Sequence, residues 1–424
     1  MSEEKRIDLS VVVPAIDEEH NIPGLIERVS KVMDRLEKSY EILVVDGGSR
    51  DQTVEKATAA GARVVRQRGK GYGGALRTGF QEARGNHIFT MDADLSHEPE
   101  FFLRMWECRD QAEVVIASRY VSGASADMSF FRYFLSRILN GVYGAILSLG
   151  IRDLSSGFRM YRKAALDSIT FQGEDFDTLQ EILLKLYCQG WRVTEVPFHY
   201  RVRKSGRSHV RLLKFARAYL ATLFKMWGLR NSIQCADYEI RAFYSQIFLQ
   251  RYWQRKRHHI ILDLTAPQGK LCDVGCGSSK IIMDLPAAVG VDISFRKLRY
   301  LRKTNARLVQ ASLFQLPFPD RAFDCVVCSE VIEHIPREGA LEELKRILSV
   351  GGTLVLGTPD YGKKTWCVIE KIYGWVHPSG YAHEHMTHYT YISLKQELER
   401  LGFEILQHTY ICNSELVFQA KRIR

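Results

Sequence analysis

From Leu9 to Met91 the chain alternates short apolar runs with stretches of helical periodicity, and this alternation limits the folds open to it more than any other feature. Extended runs are predicted at Leu9–Pro14, Tyr40–Asp46, Ala62–Val65 and Asn86–Met91. Helices are predicted over Glu18–Leu36, Val54–Ala60 and Tyr72–Ala83. Strand alternating with helix implies a parallel sheet with helices on both faces. Ligands of such sheets sit beyond the carboxyl ends of the strands. Pro14, Asp46 and the pair Asp92/Asp94 all fall at strand ends, so separate segments deliver polar groups to one rim.

The run Phe89-Thr90-Met91-Asp92-Ala93-Asp94-Leu95-Ser96-His97 ends in two acids one residue apart. In a strand alternate side chains share a face, so both carboxylates are predicted to point the same way where the strand stops. Such a pair can hold Mg²⁺ or Mn²⁺ through few protein ligands and leave other positions for a diphosphate. No serine–histidine or cysteine–histidine nucleophile arrangement accompanies it. A phosphate acceptor needs none, because its oxygen is already anionic, and the protein's task is then positioning and charge neutralisation.

The ordered series Val13-Pro14-Ala15-Ile16-Asp17-Glu18, Val44-Val45-Asp46-Gly47-Gly48-Ser49, Met91 to His97, Ala117-Ser118-Arg119-Tyr120, Asp153 to Arg162 and Glu195-Val196-Pro197 resembles family-two glycosyltransferases, in the dolichol-phosphate mannosyltransferase branch. The resemblance implies a GT-A type domain over residues 1–230. It implies that Pro14, Glu18 and Asp46 hold the nucleotide and that Asp92 and Asp94 hold metal and diphosphate. Arg119, Arg132 and Arg203 would meet the donor and acceptor phosphates, where a planar guanidinium can take two oxygens at once. His209 stands where relatives carry a phosphate-binding lysine, with Lys204 and Arg207 beside it. Ile16-Asp17-Glu18 replaces the family's usual Tyr-Asn-Glu, and Gly47 replaces an aspartate.

Arg201 to Arg230 contains nine arginines and lysines and no acid, interleaved with residues such as Phe215, Tyr219, Phe224 and Trp227. An aromatic face edged with cations suits a helix lying among lipid headgroups. Phe130–Leu149 is similar in character. Burial of both stretches against other domains is the alternative. The overall net charge of +10 fits a polyanionic partner, but no groove-reading motif accompanies it, and nucleic acid is not expected.

A second strand, glycine turn and helix unit opens at Leu271-Cys272-Asp273-Val274-Gly275-Cys276-Gly277-Ser278, and Val289-Gly290-Val291-Asp292 places an acid at the next strand end. Close backbone approach at the glycines and an acid for ribose hydroxyls suit a nucleoside cofactor. With Leu316 to Asp320, Phe323 to Val326, Glu330-Val331-Ile332-Glu333-His334 and Leu348 to Leu354, the series resembles class I S-adenosylmethionine-dependent methyltransferases. That resemblance implies a Rossmann-like domain over residues 231–424. Asp273, Gly275 and Gly277 would line the methionine moiety, Asp292 would hold the ribose, and Ser312 would stand near the adenine amine. Glu330, Glu333 and His334 follow a strand end and would face the methyl acceptor, with His334 the candidate base. His383, His385 and His388 form a second cluster whose spacing is not a standard zinc pattern, so polar lining or a general base is expected there. Tyr238–Leu264 is predicted as one helix, and Cys325 and Cys328 as core filler on a strand.

The charged start has no secretory h-region, no stretch reaches the about eighteen apolar residues of a membrane span, and nine scattered cysteines fit reduced thiols. The expected protein is an α/β enzyme of two domains, peripheral on the cytoplasmic face of a membrane. It would transfer a hexose with inversion from a nucleotide sugar of the GDP-mannose or UDP-glucose type to a polyprenyl or dolichyl phosphate. Its second domain would methylate a related glycan or lipid-linked sugar. The alternative is a soluble or glycan acceptor with a regulatory second domain.

Overall fold

The computed structural model describes residues 7–201, 212–265, 269–305, 307–376 and 385–424. The chain divides into two compact units, Met1–Tyr187 with Trp191–Arg230 and Cys188–Gly190 with Asn231–Arg424.

The first unit contains strands β1 (Leu9–Ala15), β2 (Tyr40–Asp46), β3 (Arg63–Arg66), β4 (His87–Thr90), β5 (Val114–Ser118), β6 (Ser125–Ala126), β7 (Arg159–Arg162), β8 (Val193–Pro197) and β9 (His199–Tyr200). Seven of them form one sheet in the order β3-β2-β1-β4-β7-β5-β8. β1 is buried at nearly every position, as its unbroken valine run requires of a strand covered on both faces. The sheet is mixed rather than parallel throughout, because β7 runs antiparallel between β4 and β5. Register fixes the rim: Ala15 pairs with Asp46, and Thr90 is level with Val12, so the chain leaving β4 passes the end of β1. Gly157, just before β7, returns alongside it.

The helix Phe130–Ile146 turns an apolar stripe to solvent. Phe130, Phe134, Ile138, Val142 and Ile146 recur every fourth residue and are all exposed, Phe130 by 80%. On the helix Leu212–Arg230, Leu220, Phe224 and Trp227 are exposed in the same way. The Tyr143 and Tyr219 rings join the two helices, with centroids 4.8 Å apart. No helix among the described residues is long and apolar enough to cross a membrane.

Among the described residues of the basic stretch, three cations have partners within the first unit. Arg230 is buried, donating to the carbonyls of Leu147 (2.7 Å) and Ser148 (3.2 Å) past the end of the Phe130 helix. Lys225 reaches Glu181 (3.4 Å), and Arg201 pairs with Glu98 (2.9 Å).

The second unit contains β10 (Leu271–Val274), β11 (Val289–Asp292), β12 (Leu308–Gln310), β13 (Phe323–Ser329), β14 (Leu348–Pro359), β15 (Phe403–Ile411) and β16 (Glu415–Arg422), in the order β12-β11-β10-β13-β14-β16-β15. Five strands are parallel and β16 is antiparallel to both its neighbours. Cys325 and Cys328 are buried within β13, as core filler would be. The predicted helix over Tyr238–Leu264 is two helices, Tyr238–Phe243 and Phe248–Leu264. The break falls where the Ser245 hydroxyl accepts the Ile247 N–H (3.1 Å), a local bond that competes with the helical ladder.

Candidate active sites

In the first unit Asp92 and Asp94 lie beyond β4 rather than on it, so strand alternation does not set their direction. A turn does, with Leu95 in the left-handed region at φ 61°, a conformation rare for a branched side chain and held by its surroundings. Asp94 is buried and its Oδ1 accepts the Ser96 N–H (3.0 Å). Asp92 is partly exposed, with Oδ1 3.4 Å from the Tyr72 hydroxyl. Gly157 keeps this corner open, since a Cβ there would stand 2.6 Å from Tyr72 Oη and 3.7 Å from Asp92 Oδ1.

His97 organises the turn. Its Nδ1 receives the backbone N–H of Asp92 (3.1 Å), and a backbone N–H can only donate. Nδ1 is therefore the acceptor, and the ring proton sits on Nε2, 4.0 Å from Asp92 Oδ2. Burial holds the His97 pKa below its ordinary value against the pull of Asp92 and Asp94, so the ring is neutral. It stacks on Phe158 at 4.7 Å and 8°.

Around this pair, Asp46 folds its own loop by accepting the N–H groups of Gly48 (3.1 Å) and Ser49 (3.0 Å). Glu18 donates its N–H to Thr53 (2.8 Å) and accepts from Asn21 (2.7 Å). Arg119, just past β5, makes a two-pronged pair with buried Asp153 through Nε (2.8 Å) and Nη2 (2.7 Å), and Nη2 also reaches Ser155 (2.8 Å). Burial opposes ionisation of Asp153, but Arg119 outweighs it and holds the carboxyl below its usual range. The Phe130 helix is bonded into this cluster: Ser136 takes the Tyr120 hydroxyl (2.7 Å), and Asn140 donates to Ser155 (3.1 Å).

In the second unit β10 ends at a turn with Gly275 at φ +74° and Gly277 at φ +53°. A Cβ on Gly275 would meet Val331 Cγ2 at 2.2 Å, so Val331 lies directly on the turn. Asp292 Oδ2 accepts the Gly277 N–H (2.8 Å), and its Oδ1 accepts that of Ser294 (2.7 Å). Asp273 is buried, and its Oδ2 has no partner. Burial first, and the Asp292 charge second, push its pKa up to about 7. Glu239 reaches the same turn, accepting the Ser278 hydroxyl (2.5 Å) and pairing with Lys297.

Beyond β13, Glu330 sits at φ 59°. Arg257 holds it (3.2 Å) while gripping buried Glu415 with two bonds of 2.6 Å. Glu333 is fully buried, one oxygen accepting from Thr358 (3.0 Å) and Oε1 unpartnered. Burial pushes its pKa up to about 8. Oε1 lies 3.8 Å from His334 Nε2, and the rings of His334 and His385 are 4.8 Å apart.

Residues 10–170 match the family model described as glycosyl transferase family 2, and residues 272–356 match one described as methyltransferase domain. The chain joins a family-two glycosyltransferase domain to a methyltransferase domain. The glycosyltransferase half is 33% identical over 212 residues to a dolichol-phosphate mannosyltransferase of Pyrococcus furiosus, covering 48% of this chain and 59% of that one. It is 31% identical over 222 residues to an undecaprenyl-phosphate 4-deoxy-4-formamido-L-arabinose transferase of Yersinia enterocolitica, covering 50% and 66%. The chain thus spans less than two thirds of the length of either relative. A glucosyl-3-phosphoglycerate synthase structure from Mycobacterium tuberculosis aligns with TM-score 0.42 at 22% identity, covering 52% of this chain and 79% of that one. The fold is of the GT-A kind followed by a Rossmann-like domain.

In the glycosyltransferase domain the fold gathers Pro14, Glu18, Asp46, Asp92 and Asp94 at one sheet rim. The oxygen-only donors Asp92 and Asp94, beside the space kept by Gly157, fit Mg²⁺ or Mn²⁺. Arg132 falls within the Phe130 helix, and Arg203, Lys204 and His209 lie outside the described residues, as does His383 of the methyltransferase domain. Most of Arg119's donors are committed to Asp153 and Ser155. In the methyltransferase domain the unpartnered Asp273 oxygen beside the glycine turn fits the ammonium of an amino-acid cofactor. Ser312 spends its hydroxyl on a local turn, accepting the Phe314 N–H (3.3 Å). Sequence reading missed His97, Tyr72, Asp153 and Glu239 as working parts. His97 and Asp153 carried local signals, the first standing three residues after Asp94 and the second opening the run Asp153 to Arg162.

Proposed function

We propose that the glycosyltransferase domain moves a hexose from a nucleotide sugar to a polyprenyl phosphate at the cytoplasmic face of a membrane. We further propose that the methyltransferase domain then methylates a hydroxyl or carboxyl of a lipid-linked sugar, using S-adenosylmethionine. One observation carries the first reading. The helix that bares Phe130, Phe131 and Phe134 is hydrogen-bonded through Ser136 and Asn140 to the cluster that holds Arg119. A contiguous exposed apolar face on a folded domain marks a site for an apolar partner. A lipid chain lying on that face would present its phosphate near Arg119. The acceptors named in the two relatives are of the same class.

A divalent ion on Asp92 and Asp94 would neutralise charge on the leaving diphosphate. The rest falls to the chain: Asp46 and Glu18 shape the nucleotide loop, and neutral His97 holds the Asp92 backbone and faces its carboxylate with an N–H. The acceptor phosphate oxygen attacks the anomeric carbon without a base, so one displacement inverts that centre. In the second domain Asp273 and the glycine turn would seat the methionine moiety and Asp292 the ribose, with His334 positioned toward the acceptor. S-adenosylmethionine supplies an electrophilic methyl group.

The test supplies nucleotide sugars, short polyprenyl phosphates and labelled methyl cofactor to purified protein. A glycosylated lipid, with methyl label in the lipid fraction only when sugar and lipid are both present, is expected. Transfer to soluble glycans alone, or label confined to water-soluble products, would overturn the reading.

A further inference from the structure

Glu333, His334 and His385 each offer one ligand atom within 4.8 Å of the other two. We infer that these three residues form a second divalent-cation site, built from two imidazoles and one carboxylate and distinct in chemistry from the oxygen-only pair Asp92/Asp94. The donor set is that of first-row transition ions such as Zn²⁺, Mn²⁺ or Fe²⁺, with open positions left for a substrate oxygen.

Three features make this a built site rather than a chance meeting of polar groups. Glu333 Oε1 is fully buried with no partner, a costly state for a carboxylate oxygen that a cation would relieve. Its other oxygen is fixed by Thr358 (3.0 Å), so the free one has a set direction. His385 Nδ1 is taken by Glu370 (3.0 Å) and the Tyr361 hydroxyl (2.7 Å), which leaves Nε2 as the nitrogen for a metal. A carboxylate behind a ligating imidazole orients the ring and raises its basicity. The segment bearing His385 is also tied to the carboxylate's own backbone, since the N–H groups of Met386 (2.7 Å) and Thr387 (3.0 Å) both donate to the Glu333 carbonyl.

The position assigns the ion a task, which rests on the methyltransferase reading. Val331, two residues before Glu333, lies on the Gly275 turn, so the cluster borders the cofactor site. An acceptor hydroxyl bound to the ion would lose its proton to water more readily. The oxygen lone pair then forms the O–CH₃ bond as the S–CH₃ bond breaks, its electrons staying on sulfur in S-adenosylhomocysteine. The substrate class is a hydroxyl able to chelate, such as a sugar diol.

The experiment uses the full chain carrying Asp92→Asn and Asp94→Asn, so that the first clamp is not counted. Titration with Co²⁺, read by its visible absorption, is expected to show one bound equivalent with a nitrogen-ligated spectrum. Glu333→Gln and His385→Gln should each weaken binding at least tenfold with unchanged circular dichroism. His259→Ala, at an exposed surface histidine, should not. No cobalt bound, or binding that survives both Glu333→Gln and His385→Gln, would overturn the site. Calorimetry with S-adenosylmethionine on the same proteins separates the two claims. Cobalt binding without cofactor binding would leave the cation site standing and refute its role in methyl transfer.

Discussion

The unpartnered Asp273 carboxylate sets up a conflict in the methyltransferase domain that Asp273→Asn should expose. The residue is buried, and its pKa is raised from an ordinary 3.8 to about 7. A tenfold change in proton affinity is worth about 1.4 kcal/mol, so the ionised group costs the folded state about 4 kcal/mol above pH 7. Between the two values the folded protein binds the proton more tightly than the unfolded chain. Stability therefore falls as pH rises through that window and is flat above it. Asparagine removes the charge but leaves a buried amide without a partner, a cost of about 1–2 kcal/mol. The substitution should thus stabilise the domain by about 2 kcal/mol at pH 8 and destabilise it by about 1–2 kcal/mol near pH 4. Urea unfolding of the full chain across this range measures the crossover. A difference between the two proteins that does not change with pH would refute the reasoning. Saturating S-adenosylmethionine should reverse the order at pH 8, because its ammonium supplies Asp273 with a partner that asparagine cannot use as well.

Asp94→Asn should abolish sugar transfer while the melting transition stays within about 1 kcal/mol, since the amide oxygen can still accept the Ser96 N–H; product assays with calorimetry check both. Arg159 is fully buried and donates to the carbonyls of Ser156, Leu154 and Leu179. Arg159→Met strands those acceptors and should cost about 3–5 kcal/mol in denaturant titrations. Replacing Phe131, Phe134 and Phe224 by serine should lower vesicle binding at least tenfold in flotation, because even partial insertion of each ring is worth about 1 kcal/mol. Arg119→Lys cannot keep both prongs on Asp153 and should reduce turnover more than it raises the Michaelis constant for the donor.

Local signals carried the strand-end acids. The runs ending at Pro14, Asp46 and Met91 are short, apolar and closed by turn residues, so periodicity alone located the rim. The antiparallel β7 escaped because Arg159-Met160-Tyr161-Arg162 is four residues long and lies far along the chain from its partners in β4. The site's internal wiring escaped for the same reason. Asp153 meets Arg119 across 34 residues, and Glu415 meets Arg257 across 158. The run Asp153 to Arg162 marks Asp153 as part of a motif without naming its partner, and nothing near Glu415 distinguishes a pairing acid from a solvated one. His385 illustrates the limit on motif spacing. The fold sets it against His334 and Glu333, about fifty positions earlier in the chain, which the local spacing of His383, His385 and His388 does not signal.

Among the described side chains of the stretch ending at Arg230, three cations have acceptors or acids beside them. Arg230 caps the carbonyls of Leu147 and Ser148, Lys225 answers Glu181, and Arg201 answers Glu98. Arg230 is buried and so contributes little to attraction toward an anionic leaflet, whereas the side chains of Lys225 and Arg201 remain 52% and 60% exposed. The apolar stripe that Arg230 helps to position is a different matter. Arg230 fixes the end of the helix that bares Phe130 and Phe134, and the Tyr143–Tyr219 contact sets Phe224 and Trp227 on the neighbouring helix. Hydrophobic contact is insensitive to salt, whereas attraction between exposed charges fades over about 10 Å at ordinary ionic strength. The proposed membrane attachment is therefore expected to persist at raised ionic strength through the aromatic face, whose trailing end buried Arg230 holds in place.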